Sequence, residues 1–283
     1  IYLPDSFVNE TASHGLVKFR ILTNESLDNF TNIQNTAGIF FDANPAIVTN
    51  TVDNTFTDEI PSVFFGKIFL EGTYESDGQM SVLLNDFIPE TQPYNIVPWN
   101  YQGMESLSSV PENMVDWVLV EARTGTPSLT TPSTEVVERH TGILLDNGAI
   151  LNADGTTGIR FLTLEEGEQY YISIRHRNHL DIISATPITP ALNMGYDFTT
   201  NTASAFGPEQ QKSSADGNAM MIAGDANGDG LIQATDFDDW FINNAVINTY
   251  SPTDFNLDGI IQTTDYDWWF LNKAKVGVIE IQY

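Results

Sequence analysis

The chain has 283 residues, 41% of them hydrophobic, and its 38 Asp and Glu against 11 Lys and Arg give a formal net charge of −27. Such a charge repels the phosphates of nucleic acids and anionic lipid headgroups, and no apolar run approaches the roughly 20 residues of a membrane helix, so we expect no nucleic-acid partner and no membrane insertion. Cysteine is absent, which excludes disulfide bonds, thiol catalysis and zinc–thiolate sites.

The first 60 residues are predicted to form an all-β unit. They are rich in Asn, Thr and β-branched residues, and their short alternating runs are separated by turn signals. Three strands are predicted here, over residues 15–22, 33–41 and 46–56.

A second β unit is predicted over residues 61–217. Turn signals such as Asp77-Gly78 and Asp154-Gly155 space its strands in the manner of a β-sandwich. The strands are predicted over residues 63–74, 80–84, 115–122, 142–145, 158–164 and 169–177. The polar stretch 204–218 contains Gly and Pro and is predicted to be a linker.

A dense basic cluster lies near the end of this unit, at Arg175, His176, Arg177 and His179. On a strand, alternation would place His176 on one face and the other three residues on the opposite face, which is poor geometry for a metal site. Pairing of these cations with the abundant acids is the favoured interpretation, and a carbohydrate or carboxylate site is the alternative. Zinc is not expected, because it needs three or four convergent ligands.

No motif for catalysis is present. The chain lacks a G-x-S-x-G elbow, an HExxH helix and a phosphate-binding glycine loop. Acid pairs such as Glu165 and Glu166 are weak evidence in a chain with 38 acids, so the protein is predicted not to be an enzyme. Three aromatic residues are candidates for a sugar-binding face, although burial in a sandwich core is the commoner role. They are Trp99, Tyr101 and Trp117.

The last quarter of the chain contains an internal duplication. The sequence DANGDGLIQATDFDDWFINN from Asp225 recurs as DFNLDGIIQTTDYDWWFLNK from Asp254, a shift of 29 residues. Calcium takes about six to eight oxygen ligands, which a loop supplies from positions 1, 3, 5, 9 and 12 and from the carbonyl of position 7. Both copies have this spacing, so we expect two bound Ca²⁺ ions with a structural role.

The predicted ligands occupy equivalent places in the two loops. In the first loop they are Asp225, Asn227, Asp229, the carbonyl of Leu231, Gln233 through a water molecule, and Asp236. In the second they are Asp254, Asn256, Asp258, the carbonyl of Ile260, Gln262 and Asp265. Gly230 and Gly259 occupy position 6, where the turn requires a positive φ.

A helix is predicted after each loop, because aromatic residues recur there at i, i+3 and i+4. They are Phe237, Trp240 and Phe241 in the first copy and Tyr266, Trp269 and Phe270 in the second. The two aromatic faces are predicted to pack together, and a ligand-stacking platform is the alternative.

The doubled D-x-N-x-D-G-x-I-x-x-x-D loop, with a helix after each copy, resembles the dockerin module, whose family docks onto cohesin domains. Positions 10 and 11, which often carry cohesin-facing hydroxyls in dockerins, are Ala234 and Thr235 in one loop and Thr263 and Thr264 in the other. The resemblance implies a small α-helical calcium-binding module over residues 218–275.

Two other stretches resemble modules of secreted and surface proteins of the Bacteroidetes. LPDSFVNETASHGLVKFRI with NTAGIFFDANPAIVTNTV, in residues 3–52, resembles the closing half of an immunoglobulin-like repeat domain. FLEGTY, PYNIVPWNYQGME, VDWVLVEART, YYISIRHRNHL and YDFTT, in residues 69–200, resemble the segment that often precedes a calcium-loop pair in these proteins. The resemblance implies an extracellular protein, secreted or at the cell surface, that leaves the cell by type IX secretion.

Three strands in residues 1–60 are too few for an immunoglobulin-like sandwich of about seven strands. The missing strands are expected from upstream sequence or from another subunit by β-strand addition. Residues 276–283, VGVIEIQY, are predicted to be a C-terminal strand that can serve as the donor. A head-to-tail contact of this kind generates a filament.

The sequence therefore predicts a mainly β protein, in which immunoglobulin-like β-sandwich domains precede a helical dockerin-like module with two Ca²⁺ ions. The favoured function is a non-enzymatic structural or adhesive subunit of a cell-surface fibre that self-associates head to tail, with a glycan or cell-surface molecule as a further partner. The alternative is a carbohydrate-binding or enzyme-accessory protein that docks through the module. Chelation is expected to melt residues from about Gly224 onward selectively.

Overall fold

The computed structural model describes residues 7–8, 31–39, 45, 47–48, 51–55 and 61–281. The chain divides into two compact units, residues 1–60 and 61–283. The described part is mainly β, and none of its helices is long and apolar enough to cross a membrane.

The described strands of the first unit form two short antiparallel ladders. Strand β1 (Asn32–Asn35) pairs with β4 (Val52–Thr55), and β2 (Gly38–Ile39) pairs with β3 (Ile47–Val48). The predicted strand 33–41 is thus divided between β1 and β2, and 46–56 between β3 and β4. The predicted strand at 15–22 lies outside the described residues.

The second unit is built around a five-stranded antiparallel sheet and a three-stranded sheet. The larger sheet has the order β10-β9-β8-β12-β13, and the smaller has the order β11-β5-β14 with β5 and β14 parallel. The strands of this unit are β5 (Ser62–Lys67), β6 (Tyr74–Ser76), β7 (Gln79–Met80), β8 (Met114–Gly125), β9 (Thr134–Leu145), β10 (Ile150–Asn152), β11 (Ile159–Phe161), β12 (Tyr171–His176), β13 (His179–Ile183), β14 (Met194–Asp197), β15 (Gln211–Ser213) and β16 (Ala219–Met221).

Strand β8 is the centre of the hydrophobic core. Residues 114–123 are all buried, which matches the nearly continuous apolar run of its sequence. Trp117 on this strand is fully buried and donates its Nε1–H to the carbonyl of Pro89 at 2.9 Å. Trp117 is therefore a core residue and does not belong to a sugar-binding face.

Three sequence expectations for this unit differ from the structure. Of the predicted strand 80–84, only Met80 lies in a strand, β7. The predicted strand 63–74 is not continuous: β5 ends at Lys67, the chain turns at Gly72, whose φ is +89°, and β6 begins at Tyr74. The predicted linker 204–218 is folded onto the unit, since β15 within it pairs with β16. Gln211 in β15 is buried and donates its side-chain amide to the carbonyl of Phe198 at 3.0 Å. Gln210 beside it is buried too and donates its side-chain amide to the carbonyl of Val276 at 3.1 Å. Composition alone does not distinguish such buried amides from those of a solvated linker.

Two helices follow, α1 (Ala234–Asn243) and α2 (Thr263–Asn272), and each begins with a capping box. Gln233 and Gln262 are the N-cap residues, and the third helical residues, Asp236 and Asp265, accept hydrogen bonds from the N-cap backbones. This region lies in the same compact unit as the sheets. The side chain of Asn272 in α2, for example, donates to Glu71 Oε2 at 2.6 Å.

The C-terminal segment also differs from the sequence expectation of a donor strand over residues 276–283. Its described end forms a 3₁₀ helix, Ile279–Ile281, and Val278 and Ile281 are buried beside Ile183 of the same chain. The alternating apolar residues are also compatible with a strand. The carboxylate of Glu280, between them, is buried and bonds to residues at the end of the β8–β9 hairpin, and the segment folds there as a 3₁₀ helix.

Candidate metal centre

The two loops have the same internal hydrogen bonds. Asp225 at position 1 accepts from the backbone N–H of Asp229 and Gly230 at 3.2 and 2.9 Å, and its counterpart Asp254 accepts from Asp258 and Gly259 at 3.1 and 2.8 Å. The φ angles of Gly230 and Gly259 are +83° and +78°, as the turn at position 6 requires. The duplication in sequence is thus a duplication in backbone conformation.

The position-12 carboxylates close the loops in the same way. Asp236 accepts from the N–H of Ala226 at 2.8 Å, and Asp265 accepts from the N–H of Phe255 at 2.7 Å. Asp236 and Asp265, like the position-1 residues, are almost completely buried. Each loop therefore holds two buried acids close together.

Burial raises the pKa of all four of these acids. Burial, with a further contribution from Asp236, raises the pKa of Asp225 well above its usual value. Burial raises the pKa of Asp236 and of Asp265 to about 6. Burial also raises the pKa of Asp254 to about 7, against the opposing effect of Arg177. A bound cation would remove this unfavourable concentration of negative charge.

The amide side chains surround the position-5 carboxylates. Asn227 Nδ2 and Gln233 Nε2 lie 3.2 and 3.1 Å from Asp229 Oδ2, and the equivalent distances from Asn256 and Gln262 to Asp258 Oδ2 are 2.9 and 3.3 Å. Rotation of an amide by 180° exchanges its nitrogen for its oxygen. The same side chains can therefore present oxygen ligands.

One buried oxygen atom of the second loop is available to bind a cation. Asn256 Oδ1, at position 3 of the second loop, is buried and has no hydrogen-bond partner among the described residues. Within those residues, no group of three or more His, Cys, Asp or Glu side chains forms a metal cluster by itself. Calcium also uses amide and backbone oxygens, and the mixed set of each loop, including the carbonyls of Leu231 and Ile260, has the chemistry that Ca²⁺ prefers. The residues present fit the ion.

The two helices connect the loops reciprocally. Trp240 of α1 donates its Nε1–H to the carbonyl of Gln262 at 3.0 Å, and Trp269 of α2 donates to the carbonyl of Gln233 at 2.9 Å. The backbone does the same, since Ile232 of the first loop bonds to the segment after α2, and Ile261 of the second bonds to the segment after α1. Each loop is thus supported by the helix of the other.

The predicted aromatic packing is observed for four of the six residues. Phe237 lies 5.1 Å from Trp269, and Trp240 lies 5.3 Å from Tyr266, between ring centroids. The remaining two, Phe241 and Phe270, are 65% and 46% exposed, and Lys273 Nζ lies 3.4 Å from the centre of the Phe270 ring. Their neighbours Ile242 and Leu271 are exposed as well, so both helices present an equivalent apolar pair to solvent.

The basic cluster forms a buried ionic network at the β12–β13 hairpin. Arg177 Nε and His176 Nε2 lie 2.8 and 3.2 Å from Asp116 Oδ2, Tyr250 donates its hydroxyl to Asp116 Oδ1 at 2.7 Å, and Arg177 Nη1 donates to the carbonyl of Ser251. Burial raises the pKa of Asp116, but Arg177 and His176 outweigh this effect and lower it. The favoured interpretation, pairing with acids, is what the structure shows.

The predicted division of the cluster between two faces of a strand is wrong. Strand β12 ends at His176, the chain turns at Arg177 and Asn178, and β13 begins at His179. The turn brings His176 Nδ1 within 3.0 Å of His179 Nδ1, and burial lowers the pKa of both imidazoles. Arg175 pairs separately with Asp181 at 2.7 Å.

Asn178 contacts the chain near both loops, and no motif in the sequence marks it as a residue of this site. Its carbonyl accepts from the N–H of Gly224, the residue before the first loop, at 3.0 Å, and its side chain donates to the carbonyl of Asp254 at 2.6 Å. Asp116 was missed as well, although a lone acid within the apolar run MVDWVLV is a recognisable sign of a buried partner. The candidate acids Glu165 and Glu166 are exposed, whereas Trp99 and Tyr101 are buried.

Comparison with known proteins found similarity to one described family and to two solved structures. Residues 1–55 match a family described as a domain of unknown function, DUF7619. The comparison with curated proteins found no match. Two structures of mutant type II cohesin–X-dockerin complexes from Acetivibrio cellulolyticus, one altered at the N-terminal and the other at the C-terminal interface, each contain a chain that is similar to 76% of this one with 97% of its own length covered. The sequence identities are 15% and 14%, and the TM-score is 0.39 for both. The family match covers less than half of the chain, so a function has to be argued from the geometry.

Proposed function

We infer that this chain is a non-enzymatic extracellular docking and adhesive protein whose C-terminal loops are ordered by two Ca²⁺ ions. The observation that carries this inference is the pair of equivalent loops, each with two buried carboxylates and no cationic side chain among its proposed ligands. Asp225, Asp229 and Asp236, with their counterparts in the second loop, would hold the ions together with the amide and carbonyl oxygens. Each ion would supply charge compensation, and the chain would supply the fixed backbone.

The surface that supports docking is the duplicated apolar pair on the helices. Phe241 and Ile242 of α1 and the equivalent Phe270 and Leu271 of α2 are exposed. Asp238, Asp239 and Asp267 on the same helices are acidic. The partner we propose is therefore a protein with an apolar face and basic residues around it.

We also propose that copies of this chain assemble into a cell-surface fibre. The described part of residues 276–283 packs in its own chain, so it is not the donor strand of such a fibre. Negative-stain microscopy of the purified protein in Ca²⁺ distinguishes a fibre of this chain from separate molecules that dock with another protein. Filaments support self-association, and dispersed particles restrict the proposal to docking with another protein.

Calorimetric titration of the full chain tests the calcium sites. We expect two Ca²⁺ per chain for the wild type and one for Asp229→Asn or Asp258→Asn, because each substitution removes a position-5 carboxylate. The matched controls are Asp238→Asn and Asp267→Asn, equivalent exposed helix positions that should retain two ions. Equal stoichiometry in all five proteins would show that the loops do not hold the metal.

A further inference from the structure

The two loops offer a cation the same set of ligands. Each provides three carboxylates, two amide side chains and one backbone carbonyl at the same six positions. The affinity of such a loop for Ca²⁺ is set by the number of its charged ligands and by its rigidity. Because the number of charged ligands is equal, any difference in affinity between the two sites has to come from the surroundings of each loop.

Positions 2 and 4 distinguish the two loops. In the first loop they are Ala226 and Gly228. In the second they are Phe255 and Leu257, whose exposed fractions are 0% and 1%. Leu257 belongs to the main hydrophobic core, the cluster that contains Trp117 of β8. The second loop is therefore anchored by two large buried side chains where the first loop has small residues.

The backbone of Leu257 shows that this anchor fixes the loop. Its φ is +54°, in the left-handed region that a leucine rarely adopts, whereas the equivalent Gly228, with φ +70°, adopts it at little cost. Such a conformation persists where the surrounding structure determines it, and here the leucine side chain is held in the core. The backbone is closely packed as well, since a Cβ atom on Gly72 would lie 2.5 Å from the carbonyl oxygen of Phe255.

Polar contacts from the β12–β13 hairpin also favour the second loop. Asn178 donates its side-chain amide to the carbonyl of Asp254, a proposed ligand residue, at 2.6 Å, and its backbone carbonyl accepts from Gly224, which lies outside the first loop. The position-3 oxygens differ too. In the part of the chain that the structure describes, the buried Asn256 Oδ1 has no hydrogen-bond partner, whereas Asn227 Oδ1 accepts a backbone hydrogen bond at 2.9 Å within its own loop.

The charges near the loops do not reverse this difference. Arg177 acts on position 1 of the second loop and would oppose a cation, but it is paired with Asp116 at 2.8 Å. Asp181 acts on position 1 of the first loop and would favour a cation, but it is paired with Arg175 at 2.7 Å. An opposite charge at such a short distance offsets most of the field of each group at the ion, so rigidity is the larger effect.

We propose that the second loop binds Ca²⁺ first and is the structural site, whereas the first loop fills at higher calcium and is the site that responds to calcium concentration. A loop that already holds its bound conformation loses less conformational freedom on binding, which raises its affinity. Asp236, a proposed ligand of the first loop, is also the third residue of α1, so the responsive site lies at the start of the helix that carries Phe241 and Ile242. This inference rests on the proposed calcium function of the loops.

Titration of the ¹⁵N-labelled, calcium-free full chain with Ca²⁺ tests the order of binding. Gly230 and Gly259 each donate their N–H to the position-1 carboxylate of their own loop, so their amide signals report the two sites separately. We expect the Gly259 signal to reach its final position before the Gly230 signal, with dissociation constants at least about tenfold apart. In calorimetry, Asp229→Asn, which leaves the second site, should bind its ion more tightly than Asp258→Asn by the same factor.

Two changes should remove the advantage of the second loop. Phe255→Ala combined with Leu257→Gly gives positions 2 and 4 the residues of the first loop, and in the Asp229→Asn chain it should weaken binding at least about tenfold. Asn178→Ala, which removes a side-chain contact of the second loop and leaves the core intact, should weaken binding several-fold. Val82→Ala, packed against the same core but outside both loops, should bind as its parent does.

Simultaneous shifts of Gly230 and Gly259, or an earlier shift of Gly230, would overturn the proposed order while leaving calcium binding in place. Equal affinities of Asp229→Asn and Asp258→Asn, or equal weakening by Asn178→Ala and Val82→Ala, would overturn it as well. If neither loop binds an ion, the proposed function fails together with this inference, so the two failures are distinguishable.

Discussion

Glu280 fixes the C-terminal segment to the sheet. Its buried carboxylate accepts from the backbone N–H of Ser128, Ser133 and Thr134 and from the hydroxyls of Ser133 and Thr134. Its own carbonyl accepts from Arg123 Nη2 at 3.0 Å. Burial raises the pKa of Glu280, but the donors from Ser133 and Ser128 outweigh burial and lower it to about 2.

This carboxylate gives the fold a pH dependence with a definite sign. The folded pKa is below the usual value of 4.5, so the stabilisation is complete above pH 4.5 and is lost as the pH falls toward 2. Glu280→Gln should lower the free energy of unfolding at pH 7 by about 3 kcal/mol, and this difference should shrink at pH 3. Urea unfolding at both pH values measures it.

The control for Glu280 is Glu112→Gln, at an exposed position just before β8. It should unfold as the wild type does at both pH values. A loss in Glu280→Gln that is equally large at pH 7 and pH 3 would show that shape, and not the charge of the carboxylate, holds the segment.

The hydrogen bonds of Trp240 and Trp269 make each loop depend on the helix that follows the other loop. Trp240 of α1 donates to the carbonyl of Gln262, and Trp269 of α2 donates to the carbonyl of Gln233, so each indole bonds to position 9 of the opposite loop. A change in one helix should therefore alter binding at the proposed calcium site of the opposite loop. This coupling follows from the pairing of duplicated elements, in which neither copy can bury its aromatic face alone.

Trp240→Phe removes the donor to Gln262 and should cost about 1 kcal/mol of stability. In an Asp229→Asn background, which leaves the second site, it should also weaken calcium binding several-fold by calorimetry. In an Asp258→Asn background, which leaves the first site, binding should change little. Phe241→Leu, on the exposed face of the same helix, is the control. The opposite pattern would show that each helix serves its own loop.

At the scale of the whole second unit, the loops are joined to the sheets by buried polar contacts. Asn178 bonds to Gly224, just before the first loop, and to Asp254 in the second. Arg177 bonds to Ser251, and Asn272 of α2 donates to Glu71. These groups are buried, so separating the loops from the sheets would leave unpaired polar atoms. The structure therefore changes the expectation that chelation melts only residues after Gly224.

Hydrogen exchange of the full chain in excess chelator measures the extent of this coupling. We expect amide protection to fall in the β12–β13 hairpin, residues 171–183, as well as in residues 225–272, because the hairpin turn contacts both loops. Asn178→Ala, which removes the side-chain contact to Asp254, should reproduce part of the loss in the presence of Ca²⁺. Loss of protection in the loops alone would show that they unfold as an independent module.

Local patterns identified part of this architecture. Predicted strands overlap three of the five strands of the large sheet, β8, β9 and β12, and the glycine turns and the two loop–helix repeats lie where local patterns predict them. Strands β10 and β13 had no predicted counterpart. The linker over 204–218 and the C-terminal strand were misjudged, because composition and alternation do not reveal whether a polar residue such as Gln211 or Glu280 has a buried partner.

The sequence by itself determined the candidate metal centre, since all the proposed ligands of one ion lie within twelve successive residues and their spacing is a local property. Only the tertiary structure decided what surrounds it. The contact of Arg177 with Ser251 spans 74 residues and that of Asn178 with Asp254 spans 76. Such contacts depend on which distant side chains are buried together, and no periodicity in the chain records that.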